Sequence, residues 1–219
     1  MKKAFLLLLN LLFMNTIFAQ TQSKSALVLI ETQNEWMHPK GKLNKALIQD
    51  NQMMQNSITN IEKVLAYARE NNMEVIHVGL RFKKGYPEMG KAEAGLRKAI
   101  PNAGTFQENE FGSAFFETVK PLAHEFIVTG RTGASGFTGS NLDVYLRNNK
   151  IDKLYLVGYA THVCIESTFR DAHEKGYQTF VLSDATAAFN QVQQAYFLNE
   201  IVHHFGQQLT TDEFCHLSL

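Results

Sequence analysis

The sequence predicts an α/β fold built on a doubly wound, mainly parallel, Rossmann-like sheet of about six strands. Three observations carry that prediction. Residues 26–30 (ALVLI) form a continuous apolar run of the kind buried on both faces of a parallel sheet. Strand-like and helix-like patterns alternate along most of the chain. Residues 154–172 (LYLVGYATHVCIESTFRDA) read as a strand, a turn and a helix with Cys164 in its first turn.

The elements follow in order. Residues 1–19 are expected to be a signal peptide, since Lys2 and Lys3 precede a long apolar run ending near Ala19. Residues 20–219 then form one domain, because about 200 residues suffice for one sizeable core and fall short of two. After the first strand, Met54, Ile58, Ile61, Leu65 and Ala68 mark one face of a helix that Asn71 and Asn72 close. Val75–Val78 is the second strand and Phe126–Val128 the third, with Leu142–Leu146 in a helix behind it. Tyr155–Val157 is the fourth strand, which Gly158 is expected to break. Thr179–Leu182 is the fifth, followed by an amphipathic helix carrying Val192, Phe197, Ile201 and Phe205, and a short strand near Gln208–Thr210. Arg81 to Phe116 contains glycines, Pro87 and Pro101 with little periodicity, so it reads as a loop: a lid, a specificity element or a subunit contact.

Composition narrows the function. The 21 basic and 21 acidic residues cancel without forming clusters, which argues against nucleic acid or an anionic membrane surface as partner. No glycine-rich phosphate loop is present. Of the two cysteines, Cys164 reads either as a nucleophile or as a small buried residue, and in an exported chain a Cys164–Cys215 disulfide competes with both.

In open α/β sheets the ligand site lies beyond the carboxyl ends of the strands. Glu31 directly follows the first strand, Arg131 the third, and Cys164 the turn after the fourth. A thiol at a helix N-terminus is expected to ionise more readily there. The carboxylate could take its proton, the guanidinium could hold the carboxylate, and the turn amides could hold an oxyanion. Glu31 and Arg131 equally read as a buried pair that only closes the top of the sheet.

ALVLIETQNEW, GRTGASGFTGSNLDVYLRNNKIDKLYLVGYATHVCIEST and DAHEKGYQTFVLSDATAAF resemble, in this order, the blocks of the isochorismatase-like cysteine hydrolases. The resemblance covers residues 26 to about 205 and implies a three-layer α/β/α fold. It also implies a cysteine–carboxylate–lysine triad acting on C–N bonds of small molecules, and commonly a homo-oligomer. By position the nucleophile is Cys164, the carboxylate Glu31 and the cation Arg131, six residues before Phe137. The family's cis peptide would precede Ala160, whose amide would join that of Cys164 as oxyanion donor. Glu31 replaces the family's aspartate and Arg131 its lysine, which keeps the charges but gives a cation that does not readily lose a proton.

Candidate substrate-binding residues are Trp36 and Phe137 as apolar walls, with Phe82 and Phe111 as further ones, although any of these could be core. His38 is placed at the entrance, Arg81 where it could attract a carboxylate, and His162 beside the pocket or capping the turn. The metal cluster of the family's nicotinamidase branch has no counterpart in HVGLRFKKGYP, so neither metal nor cofactor is expected. The reading is an exported hydrolase of a small amide, with no membrane partner in the mature form. A non-catalytic small-molecule binding protein and a thiol-redox protein with an exposed Cys164 are the alternatives.

Overall fold

The computed structural model describes residues 24–218, so the leader expected over residues 1–19 lies outside the described residues. Strand β1 (Lys24–Ile30) leads into two short helices, α1 (Asn34–Met37) and α2 (Lys42–Leu47). The long helix α3 (Asn51–Glu70) returns to β2 (Glu74–Val78). Helix α4 (Gly95–Ala103) interrupts the stretch before β3 (Phe126–Ile127). Helix α5 (Leu142–Asn148) leads to β4 (Ile151–Tyr159), which passes through a π-helical turn, Thr161–Ile165, into α6 (Glu166–Glu174). Strand β5 (Gln178–Ala187) precedes α7 (Gln191–Tyr196), which continues through a second π-helical turn, Phe197–Ile201, into α8 (Val202–Phe205). Strand β6 (Gln207–Leu209) and α9 (Thr211–Phe214) follow.

The six strands are all parallel, in the order β3-β2-β1-β4-β5-β6. The chain winds outward from β1 to β3, then starts again at β4 on the other side of β1. The crevice at that switch, between the carboxyl ends of β1 and β4, is where such sheets bind ligands.

Alternation along β1 shows how the layers form. Ala26, Val28 and Ile30 face one core, and Leu27 and Leu29 face the other. On the second side Ile61, Val64, Leu65 and Ala68 of α3 cover the sheet, joined by Phe214 of α9. On the first side Leu142 and Leu146 of α5, Phe169 and Ala172 of α6, and Phe197 cover it. Burial of each such aliphatic side chain contributes roughly 2 kcal/mol, which is why five successive apolar residues specify the central strand. The N-terminus of α3 is capped by Asp50, whose side chain accepts the Met53 N–H at 2.8 Å. Among the described residues no helix is long and apolar enough to cross a membrane.

Three expectations need correction. Gly158 does not end the fourth strand, which runs on to Tyr159. Its φ is +118°, and a Cβ there would lie 1.9 Å from the Ile30 carbonyl oxygen, so glycine lets β4 press against the end of β1. The fifth strand also outlasts its apolar run, because pairing resumes after a bulge at Gly158–Thr186. The stretch from Arg81 to Phe116 is not loop throughout: α4 forms within it despite Pro101, and Gly104 closes it in the left-handed conformation.

Beneath β2 and β3 lies a buried polar cluster. Glu125 accepts from Arg69 Nε at 2.7 Å and pairs with His77 Nε2 at 2.8 Å. Burial alone would raise the Glu125 pKa, but hydrogen bonds from Arg69, the Leu122 amide and His77 hold it at about 2. Burial lowers the His77 pKa, against the pull of Glu125. Both shifts make the folded state bind fewer protons than the unfolded chain, so both stabilise above the ordinary values and lose that contribution as pH falls. The His77 part should fade below about 6.5 and the Glu125 part from about 4.5 towards 2. Thermal denaturation across this range should show a falling midpoint. Glu125→Gln should flatten the lower part of the profile and cost roughly 3 kcal/mol at neutral pH.

Candidate active site

Glu31 is the residue after β1, and its backbone has φ +51°, outside the region that most residues adopt. Its amide donates to the Val78 carbonyl at 2.7 Å, so the end of β2 holds it in that conformation. The turn aims the side chain back over the sheet, where it is 1% exposed. Both carboxylate oxygens are engaged: Trp36 Nε1 donates to Oε2 at 2.8 Å and Arg131 Nη2 to Oε1 at 2.7 Å. The pairing of Ile30 with Gly158 brings this carboxylate beside the end of β4.

Arg131 is wrapped by its own loop. Its Nε donates to the carbonyls of Gly133 (3.0 Å) and Ser135 (3.3 Å), and Nη2 donates also to Ala134. Only a planar fork with several donors could satisfy three successive carbonyls and a carboxylate together, which gives arginine here a physical reason over lysine. Nη1 is buried without a hydrogen-bond partner among the described residues. Although burial opposes the charge, Glu31 and then Cys164 hold the guanidinium pKa above its ordinary value.

The third member arrives from the turn after β4. The Tyr159–Ala160 peptide is cis. The Ala160 carbonyl accepts from the amides of Val163 (3.1 Å) and Ile165 (3.2 Å), which starts the π-helical turn carrying Cys164. Thr168, one turn further on, donates to the Cys164 carbonyl at 2.7 Å and accepts the Gly136 amide at 2.8 Å. That hydroxyl ties the cysteine turn to the arginine loop.

Cys164 is 4% exposed and lies within interaction range of both Glu31 and Arg131. Burial pushes its thiol pKa far above the ordinary value, the Glu31 charge adds to the rise, and Arg131 opposes it. The easier ionisation expected from a helix N-terminus is therefore not what the resting site provides. Desolvation and the adjacent carboxylate outweigh the turn. Both cysteines are free. Cys164 packs in the core on one side of the sheet and Cys215 against the core on the other, so the sheet separates them and no disulfide joins them.

Glu31 and Cys164 line the floor of a cavity of about 700 Å³. Trp36 lines it too and stacks on Phe189, with ring centroids 5.8 Å apart. The other sequence-derived candidates stand elsewhere. Phe137 is buried in the core and stacks on Tyr177, while Phe82 is fully buried and also does not line the cavity. His38 packs edge-on against Phe111 at 4.9 Å, off the cavity wall. Arg81 is exposed above the Phe115 ring and borders a separate, smaller depression. His162 is half-buried edge-on to Phe189, and burial lowers its pKa.

Sequence reasoning marked residues 81–116 as a lid, specificity element or subunit contact but missed Phe189, Thr168 and the helix α4 itself, whose Leu96, Ala99, Ile100 and Ala103 all line the cavity. Their i, i+3, i+4, i+7 spacing was the available signal. Among the described residues no group of three or more His, Cys, Asp or Glu side chains could hold a metal ion.

An isochorismatase domain model matches residues 25–213, and the chain belongs to the isochorismatase family of hydrolases. The ureidoacrylate amidohydrolase RutB of Stutzerimonas stutzeri is 33% identical over 210 residues, covering 90% of this chain and 84% of that protein. The RutB of Agrobacterium fabrum is 31% identical over 206 residues, covering 88% and 89%. Among solved structures, a cysteine hydrolase from Pseudomonas syringae pv. phaseolicola superposes with a TM-score of 0.74 at 26% identity, covering 88% of this chain and 91% of that one. N-carbamoylsarcosine amidase from Thermoplasma acidophilum gives 0.67 at 26%, covering 87% and 98%.

The geometry sets the sign of one titration. In a Cys215→Ser background, the pH midpoint of Cys164 alkylation by iodoacetamide should lie above the ordinary thiol value of 9.0. Glu31→Gln should lower that midpoint, since it removes a charge that raises it. A wild-type midpoint near 7 would contradict this account of the resting site.

Proposed function

We propose that this member of the isochorismatase family is a cysteine amidohydrolase working through a covalent acyl-enzyme. The observation that carries the proposal is the meeting of a thiol and a carboxylate, each at most 4% exposed, on the floor of one cavity, with a buried guanidinium paired to that carboxylate at 2.7 Å. The amidohydrolase names of its relatives support the same reaction class.

Because the resting thiol is neutral, its proton must leave as it attacks. Cys164 Sγ bonds to the amide carbonyl carbon while its proton passes to Glu31, and the carbonyl oxygen takes the negative charge. The amides of Ala160 and Cys164 are the donors assigned to that oxyanion. Glu31 then gives the proton to the departing nitrogen, the C–N bond breaks, and a thioester remains on Cys164. Glu31 next takes a proton from water as the water attacks the thioester; the C–S bond breaks, and the acid leaves with the thiol restored. Arg131 positions Glu31 throughout. Its Nη1 is a buried donor without a partner among the described residues.

The buried, protonated thiol speaks against the redox alternative, which needs an exposed thiolate. The same proposal includes export, supported by the residue pattern of positions 1–19, and assembly as a homo-oligomer, supported by the family resemblance.

Screening a panel of amides with detection of released amine tests the reading. Cys164→Ser and Glu31→Gln should each reduce turnover at least a hundredfold, on the order of a lost general base or nucleophile. Arg131→Lys should lose about tenfold, since lysine cannot satisfy Glu31 and three carbonyls at once. Intact-mass spectrometry should find a thioester adduct on the wild type. Undiminished turnover in Cys164→Ser would end the proposal. Ligand-induced thermal stabilisation with neither turnover nor adduct would leave a binding protein in its place.

A further inference from the structure

The walls of the cavity differ sharply from its floor. Polar side chains line the cavity at Glu31, Cys164, Thr132, Thr138, Thr105 and Arg97, and the rest of the lining is apolar or glycine. From the body of the domain come Trp36, Leu43, Leu47, Leu80, Phe106 and Phe189. Across from them α4 contributes Leu96, Ala99, Ile100 and Ala103, together with Arg97, the one cation that lines the cavity among the described residues. Leu96 is 41% exposed, so part of this apolar face is left uncovered.

The segment carrying these side chains is anchored. Phe82 and Phe106–Glu108 exchange backbone hydrogen bonds at 2.9 and 2.8 Å, Tyr86 Oη donates to the Thr105 carbonyl at 2.9 Å, and Lys42 Nζ donates to the Gly104 carbonyl at 2.5 Å. The C-terminal end of α4 is thereby fixed over the catalytic floor, and its apolar face stands as a built wall.

We propose that the substrate is an amide with a large apolar acyl group, a medium-length alkyl chain or an arylalkyl group, seated between α4 and the Trp36–Phe189 stack. The proposal rests on the amidohydrolase reading above. A volume of about 700 Å³ lies in the upper part of the range for ligand pockets and far exceeds what a small polar amide fills. Most of the wall such a compound would meet is hydrocarbon, with few polar side chains to partner its donors and acceptors. The apolar side is assigned to the acyl group because that part stays on Cys164 after the amine departs. Binding free energy placed there holds the intermediate through both halves of the reaction.

The test measures kcat/KM for straight-chain primary amides from acetamide to octanamide, with 3-phenylpropanamide, N-alkylacetamides and N-carbamoylglycine for comparison. The expected result is a rise of about fourfold per methylene through at least hexanamide, with N-carbamoylglycine the poorest substrate. Ala99→Phe, which fills the cavity from an exposed helix position, should shift the preferred acyl chain to shorter lengths. A flat or falling acyl series would overturn the proposal, and so would a rise confined to the N-alkyl series. Alkylation of Cys164 by iodoacetamides with N-alkyl groups from methyl to hexyl, in a Cys215→Ser background, separates this inference from its premise. Acceleration with chain length alongside amide turnover supports the whole proposal. Acceleration without any amide turned over overturns the amidohydrolase premise, and the substrate assignment falls with it. Alkylation indifferent to chain length overturns the apolar site itself.

Discussion

Two full charges, on Glu31 and Arg131, face each other at 2.7 Å with about 1% of either side chain exposed. Removing water from two such groups costs more than their mutual attraction returns unless the remaining polar atoms also find partners, which here leaves Arg131 Nη1 as the exception among the described residues. Much of the local architecture follows from that constraint. The Trp36 indole must reach the second carboxylate oxygen, so the turn after β1 and α1 must fold back on it. Three carbonyls of the loop 133–135 must converge on the guanidinium, so that loop curls around Arg131. Gly136 must approach Thr168 closely enough to share a hydrogen bond, which links the loop to the helix behind Cys164.

The same pair decides the state of the Cys164 thiol. A thiol beside an isolated cation would ionise early. Beside a cation already matched by a carboxylate, it is left with the cost of burial and the repulsion of that carboxylate. The site therefore holds a protonated thiol beside a carboxylate. The carboxylate and the arginine act together here. The planar guanidinium takes up carbonyl partners that an ammonium could not serve in one geometry.

Chemistry and recognition occupy different parts of the chain. Glu31, Arg131 and Cys164 stand beyond strand ends, whose positions are set by the ladder between β3, β2, β1 and β4. The apolar wall comes largely from the stretch between β2 and β3, outside the sheet, anchored by a few backbone and side-chain hydrogen bonds. Side chains in that stretch can vary without disturbing the ladder, while the strand-end residues cannot move without moving the sheet.

The alternation of apolar strands and amphipathic helices was legible in the residues themselves, because residues 26–30 and the face of α3 satisfy local periodicities that few other structures would accept. The placement of Glu31, Arg131 and Cys164 at strand ends was legible for the same reason. The order of the strands was not, since pairing joins segments far apart in the chain. Gly158 reads as a breaker until β1 lies beside it, and only then is its missing side chain seen to admit the Ile30 carbonyl. Phe137 and Phe189 are alike as residues, yet one packs beneath the sheet's helices and the other lines the cavity. The sequence by itself determined the class of fold and the position of Glu31, Arg131 and Cys164 beyond the strand ends. Tertiary structure alone decided that the thiol rests protonated and that α4 walls the cavity. Burial and the charges of Glu31 and Arg131 set the first, hydrogen bonds to other segments the second, and neither is a property of any single segment.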